Sequence, residues 1–558
     1  MSHPIPLRPI HVVQGPELHS PFGGSAVRVR GVVTGHSRKG YFIQDPKGSP
    51  DPFSSDAIFV YSPRRKAKVG LHLEMVGQVI DFVRSEGGRP TTQLKVLEVR
   101  IVDDKVPPIQ PFWMTAENLP NDPADLARVL NGLEGMLVGI PAGSTFAAPS
   151  NPFGDYVCVP PGLEAIRSVH GGVIVDPSNP SRWLPSFRMT DYDIAPQLNV
   201  GATLLEPVIG PLNYRASAFQ IVTNDGIRVE NAAVDHDRTS FSAAAEFTTI
   251  LTLNGFNLDV QVEDPDLVVD PERDVDDDKL YGRFEMLARA IVHQAGSPDI
   301  VALQEIQDND GAERTDVVDA STTYEQLIRD IQWLGGPDYA WADIPPANNA
   351  DGGQPGGNIR NAFLYLPSRV ELLDSSLQRI GVEEPAFEGS RKPLLARFRV
   401  RSSGEHLVVV NVHLASKRNQ ASIFAPDQPG FDPKEGVRVH QAELIREALA
   451  PAREDGTDYY ITGDFNDFEF SPTLRALCGE ESVNMVETLP PTERFDYNHR
   501  GQLQVLMHGV VSRSAHEAGA VKYEILHGNE LTGVKPGSLS GKATDHAYVL
   551  AQLLVGLH

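Results

Sequence analysis

The residues with the clearest chemical potential follow a short apolar run at positions 459–463, which ends in Gly463. Aromatic and β-branched residues in this run are typical of a buried strand. Asp464 and Asn466 come directly after it and lie two positions apart, so in an extended chain their side chains leave the same face. A carboxylate and an amide on one face can hold a cation and a phosphate oxygen together. The simpler interpretation is a strand-to-turn junction, because Gly, Asp and Asn end many strands.

Polar residues end or interrupt further apolar runs in the C-terminal half of the chain. They are Asn254 and Asn257 in Thr-Leu-Asn-Gly-Phe-Asn-Leu, Glu305 in Val-Ala-Leu-Gln-Glu-Ile, His413 in Val-Asn-Val-His-Leu, and Asp545 and His546 in Ala-Thr-Asp-His-Ala-Tyr. On a layered sheet, side chains at strand ends share an edge. We therefore expect these residues to converge with Asp464 and Asn466 at one site.

The types of these side chains restrict the chemistry. Carboxylates and amides without cysteine form an oxygen-rich cage that suits Mg²⁺, Mn²⁺ or Ca²⁺. Two histidines beside such a cage supply a general base and a general acid. Hydrolysis of a phosphate ester suits this combination, because the metal neutralises oxyanion charge while an imidazole takes a proton from water. A single histidine at a strand end is more often a hydrogen-bonded core residue. The hypothesis therefore depends on the whole series of polar residues at strand ends and not on either histidine alone.

A layered α/β domain is needed to bring these residues together, and the pattern from residue 246 onward predicts one. The predicted elements are strands at 247–253, 300–304, 361–366 and 407–413 and helices at 279–294, 321–334 and 437–449. Upstream, residues 1–110 predict a five-stranded OB-like β-barrel, and residues 111–245 predict a second β-rich domain and linker without legible chemistry. The chain is thus predicted to be multidomain, all-β at its N-terminal side and α/β over 246–558.

Composition limits the partners of the chain. Its 558 residues exceed one ordinary domain, and 74 acidic against 49 basic residues give a formal net charge of -25. Such a surface repels a polyanion, so a nucleic-acid substrate needs divalent cations and a local basic groove. Basic and aromatic residues of the barrel predict either a stacking surface for single strands or a solvated basic face; they are Arg28, Arg30, Arg38, Lys39, Arg64, Arg65, Lys66 and Lys68 with Tyr41, Phe42 and Tyr61.

The two cysteines, Cys158 and Cys478, are too far apart in sequence for a metal motif and are expected to be packed thiols. No apolar run is long enough to span a membrane, and residues 1–10 lack the apolar core of a secretory signal. Either a leader was removed or the protein never had one.

The catalytic region resembles the endonuclease/exonuclease/phosphatase superfamily, which includes deoxyribonuclease I, exonuclease III and neutral sphingomyelinases. The resemblance extends over residues 246–555 and is carried by five motifs in order, Leu253-Asn254, Leu303-Gln304-Glu305, His413, Gly463-Asp464-Phe465-Asn466 and Asp545-His546. With the barrel in front and the segments 307–311, 351–360 and 391–394, the chain is most similar to bacterial extracellular nucleases. The resemblance implies a four-layered αββα sandwich in a secreted, monomeric enzyme. It would cleave DNA, or RNA, with Mg²⁺ or Mn²⁺, and Ca²⁺ is a further option.

The resemblance also implies a role for each residue of the set. The implied metal ligands are Glu305, as the principal one, Asn254 and Asp545. The implied catalytic residues are Asp464, which orients or activates the attacking water, Asn466, which binds the scissile phosphate, His546 as base or transition-state stabiliser, and His413 as partner acid. The implied substrate contacts are Arg360, Arg391 and Asn257, for which surface ion pairs or a simple turn are the alternatives.

One position departs from the pattern of the relatives. Where they carry an aspartate that orients the late histidine, this chain has Met507, whose thioether cannot accept a strong hydrogen bond. We therefore expect an ordinary pKa and a looser pose for His546, with activity lowered by about one to three orders of magnitude. The alternatives are that another carboxylate such as Asp496 substitutes, or that the residue was altered in this chain.

The sequence also predicts the character of two loops and leaves two other functions open. The acidic insert 263–278 is expected to be a solvated loop, with calcium binding as the alternative, and the glycine-rich loop 352–357 is expected to be mobile and exposed. A phosphatase or another phosphodiesterase of the same superfamily would use the same cage. A weakly active or binding-only protein is favoured by Met507 alone.

Overall fold

The N-terminal strands close into a barrel in the computed structural model, which describes residues 5–64, 67–84, 88–102, 106–223, 225–242, 244–373, 375–538 and 541–556. Its strands are β1 (Ala26–Ser37), β2 (Gly40–Gln44), β3 (Ala57–Tyr61), β4 (His72–Phe82) and β5 (Thr91–Ile101), in the order β1-β2-β3-β5-β4 around the barrel. Apolar residues alternate along β1 because every second side chain points into the core. Helix α1 (Ile10–Gln14) adds apolar side chains to this core. All five predicted strands are present.

The aromatic part of the predicted stacking surface is wrong. Both faces of β2 are buried: Tyr41 lies in the barrel core, and Phe42 packs on the opposite face beside Phe59 of β3 and Gly135 of the middle region. Only Tyr61, at the end of β3, is exposed. Arg65 and Lys66 lie outside the described residues, so that part of the prediction is open.

Three arginines of the barrel surround one buried carboxylate. Nε of Arg28 lies 3.0 Å from Oε1 of Glu74, and Nη2 of Arg100 lies 2.7 Å from the same oxygen. Nε of Arg30 lies 2.5 Å from the other oxygen, Oε2. Three guanidinium charges against one carboxylate leave this face of the barrel cationic.

The middle region, residues 106–242, forms an open sheet with one helix. Its elements in chain order are β6 (Phe112–Trp113), α2 (Pro123–Gly132), β7 (Leu137–Ile140), β8 (Thr145–Phe146), β9 (Asp155–Val159), β10 (Val173–Ile174), β11 (Ser186–Met189), β12 (Thr203–Leu204), β13 (Val208–Arg215), β14 (Ala218–Thr223) and β15 (Val229–Glu230). All of these strands except β10 belong to the sheet, in the order β15-β12-β8-β9-β11-β14-β13-β7-β6. Helix α2 begins at Asp122, whose side chain accepts two backbone N–H groups, and packs Leu126 and Leu130 onto the sheet.

The catalytic region contains two mixed sheets. Its strands are β16 (Thr248–Leu258), β17 (Ile300–Ile306), β18 (Ala340–Asp343), β19 (Arg360–Tyr365), β20 (Val370–Leu372), β21 (Gln378–Arg379), β22 (Leu394–Val400), β23 (His406–His413), β24 (Asp458–Asp464), β25 (Ser482–Asn484), β26 (Tyr497–His499), β27 (Gln502–Gln504), β28 (Met507–Ser512), β29 (Val521–Leu526) and β30 (Tyr548–Leu553). The first sheet has the order β18-β19-β17-β16-β30-β29. The second has the order β20-β22-β23-β24-β28-β25, with β21 beside β22.

Helices cover the outer faces of both sheets and produce four layers. The helices of this region are α3 (Pro271–Asp274), α4 (Arg283–Arg289), α5 (Ser321–Trp333), α6 (Glu435–Ala448), α7 (Ala450–Asp455), α8 (Pro472–Cys478) and α9 (Arg513–Glu517). The two sheets pack face to face, with the rings of Phe363 and Phe398 5.8 Å apart. Helices α4 and α5 pack on the first sheet, and α6 and α8 pack on the second. The predicted αββα sandwich is therefore present.

A third, small sheet joins the middle and catalytic regions. It has the order β10-β27-β26, so one strand comes from the middle region and the other two form a hairpin of the catalytic region. The β26–β27 hairpin belongs to neither sheet of the sandwich.

Two segments that were predicted to be exposed are partly packed against the rest of the chain. In the acidic insert, Glu263 and Asp278 are buried, and Asp278 pairs with Arg283 of α4. The carboxylates of Asp259, Glu263 and Asp276 offer ligand atoms within 4.8 Å of one another. Most of the insert is exposed, as predicted, but these carboxylates turn inward against the start of α4. Calcium binding by the insert stays a prediction.

The glycine-rich loop is also held by the surrounding chain. At its start, Asp351 lies 2.6 Å from Nζ of the buried Lys392. At its end, Gly356 and Gly357 are buried. A Cβ atom at Gly356 would lie 2.4 Å from the carbonyl oxygen of Ala312, so the chain approaches there too closely for any other residue. The expectation of an exposed loop is wrong at both ends.

Both cysteines are free thiols, with Cys158 buried and Cys478 half-buried, as expected. Among the described residues, no helix combines the length and apolar character required to cross a membrane.

Candidate active site

The C-terminal ends of two parallel strand pairs meet at one edge of the sandwich. In the first sheet, β16 runs parallel to β17 and places Asn254 beside Gln304. In the second sheet, β23 runs parallel to β24 and places His413 beside Asp464. Strand β30 runs antiparallel to β16, so Asp545 and His546, which lie just before its start, reach the same edge.

Glycine is required at position 463, the second-last residue of β24. Gly463 has φ 139°, and a Cβ atom there would lie 1.9 Å from the carbonyl oxygen of Val412. Any side chain would therefore push β23 and β24 apart where they carry His413 and Asp464.

A buried polar layer joins the two sheets beneath the site. Nδ2 of Asn411 donates to the carbonyl oxygen of Leu303 at 2.8 Å, and Nε2 of Gln304 donates to Oδ1 of Asn411 at 2.7 Å. The hydroxyls of Thr252 and Thr462 also bond across the sheets. Directional hydrogen bonds of this kind fix relative position more strictly than apolar packing does. The layer therefore sets the distance between the two halves of the site.

Glu305, His413 and Asp464 form the centre of the site. Nε2 of His413 lies 3.7 Å from Oε1 of Glu305 and 3.5 Å from Oδ2 of Asp464. One ligand atom of each residue lies within 4.8 Å of the others. The predicted convergence of these positions is confirmed.

Two residues of the site adopt left-handed backbone conformations. The φ angle is 52° at both Glu305 and Asn466, a region that residues other than glycine seldom occupy. The N–H of Asn466 donates to Oδ1 of Asp464 at 2.8 Å, and its amide donates to the carbonyl oxygen of Leu414 at 3.2 Å. Surrounding contacts maintain such strain, which is typical of functional positions.

Asn254 and Asp545 extend the oxygen-rich cluster. The side chain of Asn254 hydrogen bonds to the Glu305 carboxylate, and its Oδ1 accepts the N–H of Phe256 at 2.8 Å. Oδ1 of Asp545 lies 3.9 Å from Nε2 of His546. Both predicted auxiliary ligands thus lie at the edge of the sheet where β17 presents Glu305, its second-last residue.

His546 is held by a buried carboxylate from a different segment. Its Nδ1 lies 2.6 Å from Oδ2 of Asp496, which is fully buried. The other oxygen of Asp496 accepts the N–H groups of Leu506 at 2.6 Å and Met507 at 3.0 Å. Nε2 of His546 consequently faces the central cluster, 3.9 Å from Oδ2 of Asp464.

The expectation that Met507 leaves His546 loosely held is wrong. Met507 pairs with Asp464 in the ladder between β24 and β28, and its side chain is buried in the core between the sheets. Asp496, which precedes β26, supplies the carboxylate instead, as the alternative in the sequence reasoning had it. The expected loss of activity therefore has no structural basis.

Burial and charge set the protonation of the central groups. Burial raises the pKa of Asp464 to about 7 and also raises the pKa of Glu305. The pKa of His413 falls well below its usual range, because burial disfavours the cation and neighbouring positive charges add to the effect. Burial acts in the same direction on His546, but the hydrogen bond to Asp496 and the nearby carboxylates outweigh it and raise the pKa to about 10.

Arg391 brings a buried positive charge to the cluster. Its Nη2 donates to the carbonyl oxygen of Leu414 at 3.1 Å, and its Nε has no partner among the described residues. Burial lowers the pKa of Arg391, and the charges of Glu305 and Asp464 oppose this shift. A buried donor without a partner beside two carboxylates fits the predicted contact to phosphate.

Arg360 and Asn257 make other contacts. Nη1 of Arg360 lies 3.2 Å from Oδ2 of Asp343 and donates to the carbonyl oxygen of Val318 at 2.6 Å. Nδ2 of Asn257 donates at 2.9 Å to Oε1 of Gln354, in the glycine-rich loop. In the described part of the chain, neither forms a hydrogen bond or ion pair with the central cluster. Their roles in substrate binding stay predictions.

The donor set fits a hard divalent cation. The carboxylates of Glu305 and Asp464 lie in the central cluster, and Asp545 and the amide of Asn254 act on Glu305 from beside it. Carboxylate and amide oxygens are the ligands that Mg²⁺ and Mn²⁺ prefer. Buried carboxyl groups with raised pKa values repel one another once ionised, and a bound cation removes this repulsion. Nδ1 of His413 is buried without a partner among the described residues, so the imidazole has donor capacity to spare.

The segment around Asp496 carries little sequence signal for its role. Asp496 was predicted only as an alternative to the residue at position 507, and Tyr497, whose ring lies 4.9 Å from that of His546, was missed. No apolar run ends there, because β26 has only three residues. The local signal was a carboxylate between two aromatic residues in an otherwise polar stretch.

Comparison with known proteins gives matches to two family models. Residues 281–512 match the Endonuclease/Exonuclease/phosphatase family, and residues 124–232 match a domain of unknown function (DUF8508). No curated protein sequence matches the chain.

Solved structures similar to the chain include a D. rerio TDP2 humanized by 14 mutations, with 17% identity, a TM-score of 0.36, and 55% of this chain and 98% of that chain covered. The human Nocturnin catalytic domain with bound sulfate has 14% identity and a TM-score of 0.36, with 56% and 95% covered. A mannosyl-6-phosphatase of Bacteroides thetaiotaomicron has 15% identity and a TM-score of 0.32, with 55% and 98% covered.

Proposed function

We propose that this chain, whose residues 281–512 match the Endonuclease/Exonuclease/phosphatase family, is a divalent-metal-dependent nuclease that cleaves phosphodiester bonds of DNA or RNA. The observation that carries the proposal is the cluster of Glu305, His413 and Asp464 with His546 beside it. Mg²⁺ or Mn²⁺ is the proposed metal, because the ligands are mainly oxygen atoms, and Ca²⁺ would fit the same donors.

Different residues of the site are suited to different parts of the reaction. Glu305, Asn254 and Asp545 would hold the cation, which when bound neutralises charge on the phosphate and on the attacking oxygen. Asp464, with its pKa raised to about 7, is suited to orient water and to take its proton near neutral pH. Asn466, fixed by its contacts to Asp464 and Leu414, presents its amide to a phosphate oxygen.

The two histidines are suited to different tasks. His546 stays protonated because Asp496 holds its Nδ1, so its Nε2–H can donate to the transition state or the leaving oxygen. His413 is neutral, because burial and positive neighbours lower its pKa. Between the two roles that the family resemblance implied for His546, the geometry favours the transition-state stabiliser. It also favours His546 over His413 as the proton donor.

The barrel supports a polymeric, anionic substrate. Its closed strand order, β1-β2-β3-β5-β4, is consistent with the OB-type module implied by the resemblance. The cationic face of Arg28, Arg30 and Arg100 around Glu74 could contact a phosphate backbone despite the net charge of -25. The resemblance to extracellular nucleases also supports a secreted, monomeric enzyme.

Cleavage assays test the proposal directly. The full chain is incubated with single-stranded DNA, double-stranded DNA and RNA, with Mg²⁺, Mn²⁺, Ca²⁺ or EDTA. We expect metal-dependent cleavage of at least one polymer, and a loss of about 10²-fold or more in Glu305→Gln and in Asp464→Asn. Glu454→Gln, which removes an exposed carboxylate from α7, is a matched control that should act like the wild type. Failure to cleave any of the polymers with any metal would contradict the nuclease proposal.

A phosphomonoester in the same assay separates a nuclease from a phosphatase. A sugar phosphate would be hydrolysed by a phosphatase that uses the same cage, whereas the proposed enzyme should prefer the polymer. The only reason for a binding-only protein was that Met507 would leave His546 without a carboxylate partner. That reason no longer holds, because Asp496 binds His546. Tight binding of DNA without turnover in any metal would restore the binding-only alternative.

A further inference from the structure

The β26–β27 hairpin receives a strand from the middle region. Strand β10 runs parallel to β27, with Val173 beside Gln502 and Ile174 beside Leu503. The N–H of Val175 donates to the carbonyl oxygen of Leu503 at 2.9 Å, and the N–H of Val173 donates to that of Gly501 at 3.3 Å. The hairpin alone has three residues in each strand, and an isolated two-stranded hairpin is marginal in water.

Apolar packing reinforces the added strand. Ile174 and Val200 of the middle region share a buried cluster with Phe495, Leu503 and Leu531 of the catalytic region. Close contact also follows from two glycines: a Cβ atom at Gly172 would lie 2.5 Å from Leu503, and one at Gly501 would lie 2.9 Å from Ala147 and Val157. The middle region thus covers the face of the hairpin that would otherwise be open to water.

Polar contacts from the middle region reach the same hairpin. Nδ2 of Asn498 donates to the carbonyl oxygen of Ala147 at 2.9 Å, and Nε2 of Gln502 donates to that of Arg182 at 2.8 Å. Both strands of the hairpin are therefore tied to the middle region.

The hairpin carries the residues that hold His546. The N–H of Asp496 donates to the carbonyl oxygen of Gln504 at 2.9 Å, so β27 fixes the start of β26. The carbonyl oxygen of Asp496 accepts the N–H of Ala547 at 2.7 Å, and its carboxylate binds the imidazole. The ring of Tyr497 lies 4.9 Å from that of His546. A continuous set of contacts runs from β10 through β27 and Asp496 to His546.

We propose that the middle region, which matches a domain of unknown function, is a positioning element of the active site: β10 holds the β26–β27 hairpin so that Asp496 stays on His546. Ile174 and Val175 are the positioning residues, and they act through Asp496 without touching substrate. The inference rests on the proposed function for its effect on catalysis. Its structural part, the placement of Asp496, does not depend on the reaction.

Two variants of β10 and one matched control test this role in the full chain. Val175→Pro removes the N–H that bonds to Leu503, and Ile174→Ala is the milder change if the first does not fold. Ser422→Ala is the control, because Oγ of Ser422 donates to the carbonyl oxygen of Ser217 at 2.7 Å and so joins the same two regions. This control bond does not involve the β26–β27 hairpin.

Amide hydrogen exchange reads the position of Asp496 without any substrate. The N–H groups of Leu506 and Met507 donate to Oδ1 of Asp496, so they report whether that carboxylate is in place. We expect these two amides to exchange at least about tenfold faster in Val175→Pro or Ile174→Ala than in the wild type or in Ser422→Ala. Unchanged exchange at both amides in both variants would overturn the proposal.

Kinetics supply the second readout. We expect kcat for phosphodiester hydrolysis to fall about tenfold to a hundredfold in the β10 variants, with KM changed by less than about threefold. In an Asp496→Asn background the same substitutions should change kcat by less than about twofold, because the link to His546 is already broken. Equal losses in both backgrounds would show a merely structural role and overturn the proposal.

The two readouts distinguish failure of this inference from failure of the proposed function. If the wild type cleaves no phosphodiester, the proposed function fails, while exchange at Leu506 and Met507 still decides whether β10 positions Asp496. If the wild type is active but the β10 variants keep its kcat and its exchange rates, only this inference fails.

Discussion

The carboxylate that orients His546 comes from Asp496, eleven residues before Met507 in sequence. One of its oxygens accepts two backbone N–H groups, and the other accepts the imidazole. These three donors fix the Asp496 carboxylate in place, and its hydrogen bond to Nδ1 raises the pKa of His546 against the effect of burial. A carboxylate that orients His546 is therefore present in this chain although Met507 stands at the position expected for it.

Asp496→Asn should lower kcat by about 10²- to 10⁴-fold. Asparagine can still accept the two backbone N–H groups, but a neutral amide cannot stabilise a protonated His546. The measurement is kcat and KM on a phosphodiester with Mg²⁺. Glu487→Gln removes an exposed carboxylate from a nearby segment and serves as the control. A kcat within about threefold of the wild type would contradict the role of Asp496.

Met507→Asp should not raise activity, although it restores the residue type of the relatives. Met507 is buried between the two sheets, so an aspartate there would place a second charge in the core beside Asp464. We expect a loss of about 3 kcal/mol or more in the free energy of unfolding, measured in urea. Met507→Leu, which nearly conserves volume, should lose less than about 1.5 kcal/mol. An increase of kcat in Met507→Asp would show that Asp496 is a poor substitute.

Elements of the catalytic region are more predictable from sequence than those of the middle region. Strands β17, β23 and β24 are buried along almost their whole length, so continuous apolar runs mark them to within two residues of their bounds. Strands β6, β8, β10 and β12 have two residues each, too few for a periodic signal. Their pairing depends on partners that are distant in the chain, which no local pattern reveals.

The same distinction applies to the site. Glu305, His413 and Asp464 could be found because each ends an apolar run at a strand end. Asp496 precedes a three-residue strand, and its role depends on a hairpin that a different region of the chain stabilises. Asn411 looked like part of a strand, and only the packing of the two sheets shows that it joins them. Roles created by tertiary contacts leave no periodic signal.

Gly463→Ala should disrupt the end of β24 more than an ordinary glycine substitution would. The added Cβ atom would meet the carbonyl oxygen of Val412 at 1.9 Å, so β23 and β24 would have to separate beside His413 and Asp464. We expect a loss of about 3 kcal/mol or more in the free energy of unfolding, with most of the activity lost as well.

Gly456→Ala is the matched control for this substitution. Gly456 caps α7 with φ 72°, and its Cβ position has no atom within 4 Å. Only the backbone strain of about 1 kcal/mol should appear, with normal activity. Similar losses in both variants would show that the close approach of β23 and β24 is not what requires glycine at position 463.

At the scale of the whole molecule, net charge and domain arrangement affect the site together. A net charge of -25 disfavours the compact state through self-repulsion, and the buried carboxylates of the site add to this locally. The middle region contributes strand β10 to the small sheet beside the site, so that sheet is not complete without it. Cations should therefore act on the stability of the entire chain as well as on catalysis.

Mg²⁺ should stabilise the fold, and more at about pH 8 than at about pH 5. The pKa of Asp464 is raised to about 7 in the folded chain, above the value of 3.8 for an unperturbed aspartate, so the folded state binds this proton more tightly than the unfolded state does. The resulting stability is complete below the unfolded pKa and is lost as the pH rises through about 7. Above that pH the ionised carboxylates of Glu305 and Asp464 repel each other unless a cation lies between them.

Thermal unfolding in EDTA, in Mg²⁺ and in NaCl of equal ionic strength tests this expectation. The NaCl arm is needed because screening alone should stabilise a chain with a net charge of -25. At about 100 times its Kd, Mg²⁺ bound to the native state adds about 2.7 kcal/mol, so Tm should rise beyond its value in NaCl. The excess should vanish in the double variant Glu305→Gln with Asp464→Asn. A cation at this site must compensate the ionised carboxylates of Glu305 and Asp464. Equal rises of Tm in Mg²⁺ and in NaCl, or a larger rise in Mg²⁺ at about pH 5 than at about pH 8, would therefore place the cation elsewhere.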